Sequence, residues 1–131
     1  MARPKQQYPT PGELAVLQIL WEQGPSTVRQ VLEVLNKRRK RHYTSVMSLL
    51  NVMTEKRQLK RRTFGRAFLY EAAIDRQRTL GRIADDVLGR VFEGSASALM
   101  ACLLGQEKTS FDELEQIQKL IEQHRQQGSR P

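Results

Sequence analysis

The sequence predicts a mainly α-helical protein with one small β-hairpin. Along most of the chain, apolar residues recur at intervals of three and four, the spacing of one face of an α-helix. Between residues 59 and 72 this spacing gives way to two short strand-like runs around a turn that contains glycine. The predicted order is therefore three helices, a hairpin and three further helices.

Start and stop signals place the first three helices. Residues 10–13 form a capping box with proline at the first helical position, so helix 1 begins here, and Gly24 ends it. Ser26 is expected to cap helix 2. Helix 3 follows the basic run at residues 37–41, and its apolar positions between Val46 and Met53 repeat the helical spacing.

The hairpin completes a known arrangement of elements. Residues 59–63 and 67–72 are predicted as strands, and Gly65 in the turn between them is available for positive φ. Three helices followed by a basic hairpin are typical of a winged helix-turn-helix domain. In that fold the third helix enters the major groove of DNA and the hairpin, or wing, lies along the flanking backbone.

Three amphipathic helices are predicted in the second half. Asp75 and Ser95 are good N-caps, residues 110–113 form a second capping box, and Gly94 and Gly105 end the fourth and fifth helices. Their apolar surface exceeds what a thin three-helix layer can bury by itself, so we expect a second subunit to cover it. The predicted dimerisation residues are Leu80, Ile83, Val87, Leu88, Val91, Leu99, Leu103, Leu114, Ile117 and Ile121.

These elements predict a winged helix-turn-helix domain over residues 8–74 and a three-helix dimerisation domain over residues 75–127. Residues 1–7 are predicted to be a disordered basic arm and residues 128–131 a disordered tail. A chain of 131 residues can bury one modest core, or two small ones that share a partner subunit. Its length therefore also favours a dimer.

The positive charge is confined to the first half. Residues 1–72 hold 14 Lys or Arg against 5 Asp or Glu, a balance of +9, whereas residues 73–131 hold 8 against 9, a balance of −1. Such asymmetry indicates that one half meets a polyanion. Nucleic acid is the first candidate, ahead of an anionic membrane surface or an acidic protein.

Two sets of side chains suit contact with DNA. Short hydroxyl and amide groups on helix 3 can approach base edges closely, and cations before the helix and on the wing can meet phosphates. The alternative is that the polar groups are ordinary surface residues and that Arg61 and Arg62 only protect an edge strand from aggregation. The predicted DNA-binding residues are Lys37, Arg38, Arg41, Tyr43, Thr44, Ser45, Ser48, Asn51, Arg61, Arg62 and Arg66.

Four segments follow one another in the order seen in the penicillinase-repressor (BlaI/MecI/CopY) family, namely residues 13–21, 26–31, 43–50 and 65–70. The chain resembles that family from about residue 8 to residue 126. The resemblance implies a homodimeric winged-helix repressor that binds a palindromic operator and dimerises through its C-terminal helices. Ser45 and Ser48 match the family's base-reading hydroxyls, and Thr44 lies beside them.

The chain departs from the resembled family in three ways. Val52 stands where an arginine is usual, and Arg57 stands where a glycine ends helix 3, so either the helix ends differently or this site carries about 1 kcal/mol of strain. Cys102 is the single cysteine, which excludes the paired-cysteine copper site of one branch. Cys102 and Leu103 stand where another branch is inactivated by cleavage of an Asn-Phe bond, so release is expected either through a membrane sensor-protease of different specificity or through a ligand at the dimer interface.

Other functions find little support in the sequence. His42 and His124 have no nucleophile, acid pair or ligand spacing to join them, so we expect no enzyme, cofactor or metal. No apolar run approaches the roughly 20 residues of a membrane-spanning helix, and no signal peptide is recognisable, so we expect a cytoplasmic protein. The alternative function is a winged helix that binds a protein or RNA without recognising an operator.

Overall fold

The computed structural model describes residues 8–128, and these form six helices and one two-stranded antiparallel sheet. Residues 1–7 and 129–131, which hold the predicted arm and most of the predicted tail, lie outside the described residues. The predicted order of elements is confirmed. The elements are α1 (Pro11–Gln23), α2 (Val28–Asn36), α3 (Tyr43–Glu55), β1 (Leu59–Phe64), β2 (Ala67–Ala72), α4 (Arg76–Phe92), α5 (Ala96–Leu104) and α6 (Phe111–Gly128).

Two compact units make up the chain, and the division between them falls between Asp85 and Asp86, inside α4. The first unit contains the hydrophobic core, to which α1, α2, α3 and the hairpin all contribute. Each helix buries one apolar stripe against the others, as its spacing predicts. The core residues are Val16, Leu17, Ile19, Leu20, Val28, Val31, Leu35, Val46, Leu50, Met53, Leu59 and Tyr70.

The start of α2 differs from the prediction that Ser26 caps it. Thr27 is the N-cap, and it forms a reciprocal capping box with Gln30, which lies at the third helical position. Ser26 is buried, and its backbone pairs with Tyr70 through N–H to O=C hydrogen bonds of 2.9 and 2.8 Å. Because this pairing holds residue 26 in extended backbone beside β2, the helix begins one residue later than predicted.

The hairpin has a two-residue turn, one residue shorter than predicted. Phe64 pairs with Ala67 as the last rung of the ladder, so the turn consists of Gly65 and Arg66. Gly65 has φ 62°, a conformation that glycine adopts without steric cost. The ladder runs in register to Leu59 opposite Ala72.

The structure decides between the two possibilities predicted at Arg57, a different end of α3 or a residue with a strained backbone. Arg57 has φ 66°, in the left-handed region. Its N–H donates to Thr54 O at 3.0 Å, and the N–H of Gln58 donates to Met53 O at 2.9 Å, the two hydrogen bonds of a Schellman motif. The helix therefore ends as a glycine-terminated helix does, but with a side chain at the position where glycine is usual.

Glu13 joins the start of α1 to the end of α3. Although it is charged it is only 3 % exposed, and its carboxylate accepts hydrogen bonds from Lys56 Nζ at 2.7 Å, Thr10 N at 3.0 Å and Gln58 Nε2 at 3.2 Å. Burial by itself raises the pKa of this carboxyl, but the hydrogen bonds from Lys56, Thr10 and Gln58 outweigh it and lower the pKa below its ordinary value.

The second unit contains the end of α4 together with α5 and α6. Ser95 Oγ accepts from Ala98 N at 3.1 Å, and Ser110 Oγ accepts from Glu113 N at 3.1 Å, so both predicted hydroxyl caps are present. Neither α5 nor α6 has a buried residue. Within residues 8–128 no single helix is long and apolar enough to span a membrane; α4 and α5 reach that length and character only when counted together across the break between them.

Replacing Arg57 by glycine should stabilise the protein by about 1 kcal/mol, because glycine adopts positive φ without a clash of Cβ. Urea unfolding measures the change. Arg57→Ala is the matched control, since it removes the same charge but keeps Cβ, and it should give no such gain. Equal stabilisation by both variants would mean that the charge, and not the backbone, is the source.

Replacing Glu13 by glutamine should destabilise the protein at neutral pH by about 1 to 3 kcal/mol, because the buried carboxylate loses its charge and its hydrogen bonds with Lys56, Thr10 and Gln58 are weakened. Since the folded-state pKa of Glu13 is lowered, its contribution is complete above pH 4.5 and is lost as the pH falls through the folded-state value.

Urea unfolding between pH 7 and pH 3 tests this, and Glu13→Gln should flatten the loss of stability on the acid side. Glu22→Gln is the control, because Glu22 is an exposed carboxylate near the end of the same helix. If Glu22→Gln reduced the loss of stability at acid pH as much as Glu13→Gln, the role of Glu13 would be contradicted.

Candidate nucleic-acid interface

The helix α3 presents a polar face outward from the core. Val46, Leu50 and Met53 are fully buried and fix its inner side, so the residues between them are forced outward by the helical period. Most of the predicted contact residues on α3 are exposed, namely Tyr43, Thr44, Ser45 and Ser48. Asn51, the remaining one, is half-buried.

The first turn of α3 also offers backbone donors. His42 occupies the N-cap but its side chain makes no capping hydrogen bond. The N–H groups of this turn therefore remain available to solvent or to an anion. The guanidinium of Arg29 on α2 lies 5.8 Å from the centre of the Tyr43 ring, at the same end of α3. Arg29 was not among the predicted contact residues, because nothing in its local pattern separates it from an ordinary helix surface residue.

The loop between α2 and α3 carries the basic run. Lys37 and Arg38 are exposed, and Arg41 is half-buried. The backbone N–H of Arg41 donates to Asn36 Oδ1 at 2.7 Å, which closes the loop onto the end of α2. The cations thus lie directly before the N-terminus of α3, where phosphates flanking a major-groove helix are found.

The wing arginines differ from one another in their surroundings. Arg62 and Arg66 are exposed, one on β1 and the other in the turn. Arg61 is also exposed, but its Nη1 donates to Asn51 Oδ1 at 2.8 Å and its guanidinium lies 4.4 Å from the centre of the Phe68 ring. Because successive strand residues point to opposite faces, Arg61 is turned toward α3 while Arg62 is turned away from it.

Asn51 connects α3 to the wing. Its Oδ1 accepts from Arg61, so two of the predicted DNA-binding residues contact each other within the protein. The hydroxyl of Tyr70 donates to the same oxygen at 2.9 Å. Phe68 and Tyr70, which sequence reasoning left out of the site, are in edge contact with ring centres 6.3 Å apart. Only the β-strand alternation of Phe68 and Tyr70 could have indicated that they share the face toward α3.

The residues predicted for dimerisation are unevenly covered within one chain. The half-buried members are Leu80, Ile83, Val87, Leu88, Leu99 and Ile117, and the exposed members are Val91, Leu103, Leu114 and Ile121. Cys102, at the predicted cleavage position, is exposed on α5. Among residues 8–128, no group of three or more His, Cys, Asp and Glu side chains is arranged to hold a metal ion.

The core of three helices and a hairpin, with a polar helix face and a basic wing on its surface, defines a winged helix-turn-helix protein of the DNA-binding class. The chain matches the penicillinase repressor family over residues 9–123, and it belongs to that family. The predicted resemblance is confirmed. The family consists of transcriptional regulators that repress by binding DNA, so the prediction that the protein is not an enzyme is confirmed as well.

The sequence relatives of the chain agree with this assignment. The chain is 32 % identical over 121 residues to the transcriptional regulator BlaI of Mycobacterium tuberculosis, in both strain CDC 1551 / Oshkosh and strain H37Rv, which covers 91 % of this chain and 87 % of the relative. Among solved structures, it is similar to a MarR family protein from Bacillus stearothermophilus, with a TM-score of 0.46 and 19 % identity over 93 % of this chain and 76 % of the other.

Proposed function

We propose that this chain represses transcription by binding a palindromic operator as a homodimer, and that an inducing signal releases it. The observation that supports this most is the exposed row of hydroxyl side chains on α3, flanked by the basic loop on one side and the basic wing on the other. In a symmetric dimer, two such helices address successive major grooves about 34 Å apart. A winged helix that binds RNA or another protein has no such need for symmetry.

The contacts divide into two kinds. Ser45 and Ser48, with Thr44 beside them, are short enough to bring the backbone of α3 close to base edges and can donate or accept hydrogen bonds there. The cations of the loop and wing meet phosphates, which add affinity and register with little sequence information. The proposed phosphate contacts are Lys37, Arg38, Arg41, Arg62 and Arg66.

Replacing Ser45 or Ser48 by alanine should weaken binding to the operator by about 1 to 3 kcal/mol and leave binding to unrelated DNA almost unchanged. The reason is that a lost base contact affects only the sequence that offers it. Affinities for the footprinted operator and for a scrambled duplex measure the difference, with Ser97→Ala on α5 as the control. If both variants keep the wild-type preference, recognition lies elsewhere, and an asymmetric footprint would favour the alternative function.

Dimerisation is proposed for the C-terminal helices because their apolar side chains lack cover within one chain. Leu114, Leu120 and Ile121 on α6 are 43, 63 and 46 % exposed, and Leu103 on α5 is 51 % exposed. Large aliphatic side chains with this much exposure on neighbouring turns are typical of a surface that a partner covers. A second copy of the chain satisfies the symmetry of a palindrome as well.

Replacing Ile121 by glutamate should convert the dimer to monomers and weaken operator binding roughly 100-fold, since two unlinked half-sites lose their effective concentration. Sedimentation velocity and operator binding measure the two effects. Gln123→Glu is the matched control, because it adds the same charge two residues further on, on the opposite side of α6. An Ile121→Glu chain that remains a tight dimer would place the interface elsewhere.

Release is proposed to act on the linkage between the two half-sites, because damage anywhere in that linkage frees the operator. The helix α5 is the weakest part of it: it has nine residues and none of them is buried. The bond between Cys102 and Leu103 lies in this exposed helix. Cleavage there by a membrane sensor-protease, or a ligand or partner protein that separates the dimer, has the same consequence for the operator.

The mass of the chain recovered from induced cells separates these routes. Fragments that end between residues 94 and 105 are expected, because this segment combines exposure with a short helix. An intact chain that has nevertheless left its operator would refute cleavage and favour a ligand or a partner protein.

A further inference from the structure

Three side chains form a contact between α3 and the wing, which we call the wing lock: Asn51, Arg61 and Tyr70. Both of its hydrogen bonds end on one atom, Asn51 Oδ1, which accepts from Arg61 Nη1 at 2.8 Å and from the Tyr70 hydroxyl at 2.9 Å. Asn51 and Arg61 are ten residues apart in the chain and lie on different elements. The lock therefore fixes the position of the wing relative to the helix that is proposed to read DNA.

The chemistry of Arg61 determines which way the amide of Asn51 faces. A guanidinium has donors and no acceptor, so the atom of Asn51 that meets it must be the oxygen. An amide oxygen has two lone pairs, and Arg61 and Tyr70 account for both. What remains for a ligand is the amide NH₂ group, which has two donors and no acceptor.

The position of Asn51 on α3 brings this amide to the proposed reading face. Asn51 follows Ser48 by three residues and Thr44 by seven, so all three lie on one side of the helix. Asn51 is half-buried, whereas Ser48 and Thr44 are exposed. Its oxygen is held toward the wing, and the rest of the amide lies at the edge of the face that the two hydroxyls share.

The lock is anchored in the core at its far end. Tyr70 is 1 % exposed, and its backbone is paired with that of Ser26. The Phe68 ring lies 4.4 Å from the guanidinium of Arg61 and in edge contact with Tyr70, so Arg61 is held on two sides. Because the donors are fixed in this way, the orientation of the Asn51 amide is set before DNA arrives.

We propose that Asn51 is a specificity-determining residue whose amide donates to an acceptor on a base edge, and that Arg61 is a positioning residue that orients it. This inference rests on the proposed operator binding. Because Oδ1 already accepts from Arg61 and Tyr70, Asn51 cannot form the bidentate pair of asparagine with adenine, in which Oδ1 accepts from the adenine amino group. Purine N7, guanine O6 and thymine O4 are the acceptors that a donor-only amide can read.

The first experiment compares Arg61 with Arg62, its neighbour on the other face of the wing. The probes are a duplex that the wild-type chain selects from a randomised pool and a scrambled duplex of the same composition. Arg61→Ala and Asn51→Ala should lower the ratio of the two affinities roughly 5- to 150-fold. Arg62→Ala should weaken both duplexes alike and keep the ratio within about twofold, because phosphate contacts are independent of sequence.

Tyr70→Phe removes only the hydroxyl, so Oδ1 loses one of its two donors while the ring stays in the core. It should shift the ratio in the same direction as Arg61→Ala, and circular dichroism should show that all four variants remain folded. An Arg61→Ala protein that behaves like Arg62→Ala would overturn the positioning role and leave the proposed function intact. A wild-type chain that selects no sequence would instead overturn the proposed function, and this inference with it.

The second experiment asks which group on the base is read. At the base pair where Asn51→Ala loses discrimination, analogues that delete one major-groove acceptor, such as 7-deazapurines, should weaken the wild type and leave Asn51→Ala unaffected. Deleting the adenine amino group there should change neither. A loss of wild-type affinity on removal of that amino group would show that Oδ1 reads the base, and would overturn the donor-only assignment.

Discussion

The first unit of this protein, with its three helices and hairpin, depends on the burial of Tyr70. Its ring is in the core, its backbone hydrogen bonds hold the segment before α2, and its hydroxyl reaches Asn51 on α3. A buried phenol needs a hydrogen-bond partner, so packing the ring in the core also requires that α3 present a polar group at this position. One residue of the wing thus holds the segment before α2 through its backbone and contacts α3 through its side chain.

A second set of contacts near the end of α3 is centred on Glu13, whose buried carboxylate accepts hydrogen bonds from Thr10, Lys56 and Gln58. These contacts tie the start of α1 to the end of α3 and the beginning of the wing. Both sets of contacts hold the C-terminal half of α3, one at Asn51 and the other at Lys56 just after the helix. A helix fixed in this way suits the close approach that short hydroxyl side chains require, because they cannot reach across a gap to a base.

The second unit is built differently. Neither α5 nor α6 buries a residue, although both carry large aliphatic side chains. Helices gain most of their stability from tertiary packing, and within one chain α5 and α6 receive less of it than the helices of the first unit do. The excess positive charge lies within the first unit, with +9 on residues 1–72 and −1 on residues 73–131. The basic half is suited to a polyanion, and the nearly neutral half can associate with a copy of itself without strong repulsion.

The sequence by itself determined the features that depend on near neighbours. The capping box at Thr10, the apolar stripes of the helices and the glycine in the turn of the wing all follow from residues within one or two turns. The start of α2, the length of the hairpin turn and the backbone conformation of Arg57 were settled by the structure. Ser26 and Thr27 can both cap a helix, but Gln30 completes a capping box only with Thr27, a local signal that the prediction overlooked. The strand pairing of Ser26 with Tyr70 acts in the same direction.

Only the tertiary structure could separate Arg61 from Arg62, or show that Asn51 is partly committed to the wing. In the sequence the two arginines are adjacent cations and Asn51 is one polar residue on an exposed helix face. Their difference arises from contacts between residues 10 and 19 positions apart, which bring α3, β1 and β2 together. Such contacts depend on how complete elements pack, and no local pattern records which face of a strand will meet which side of a helix.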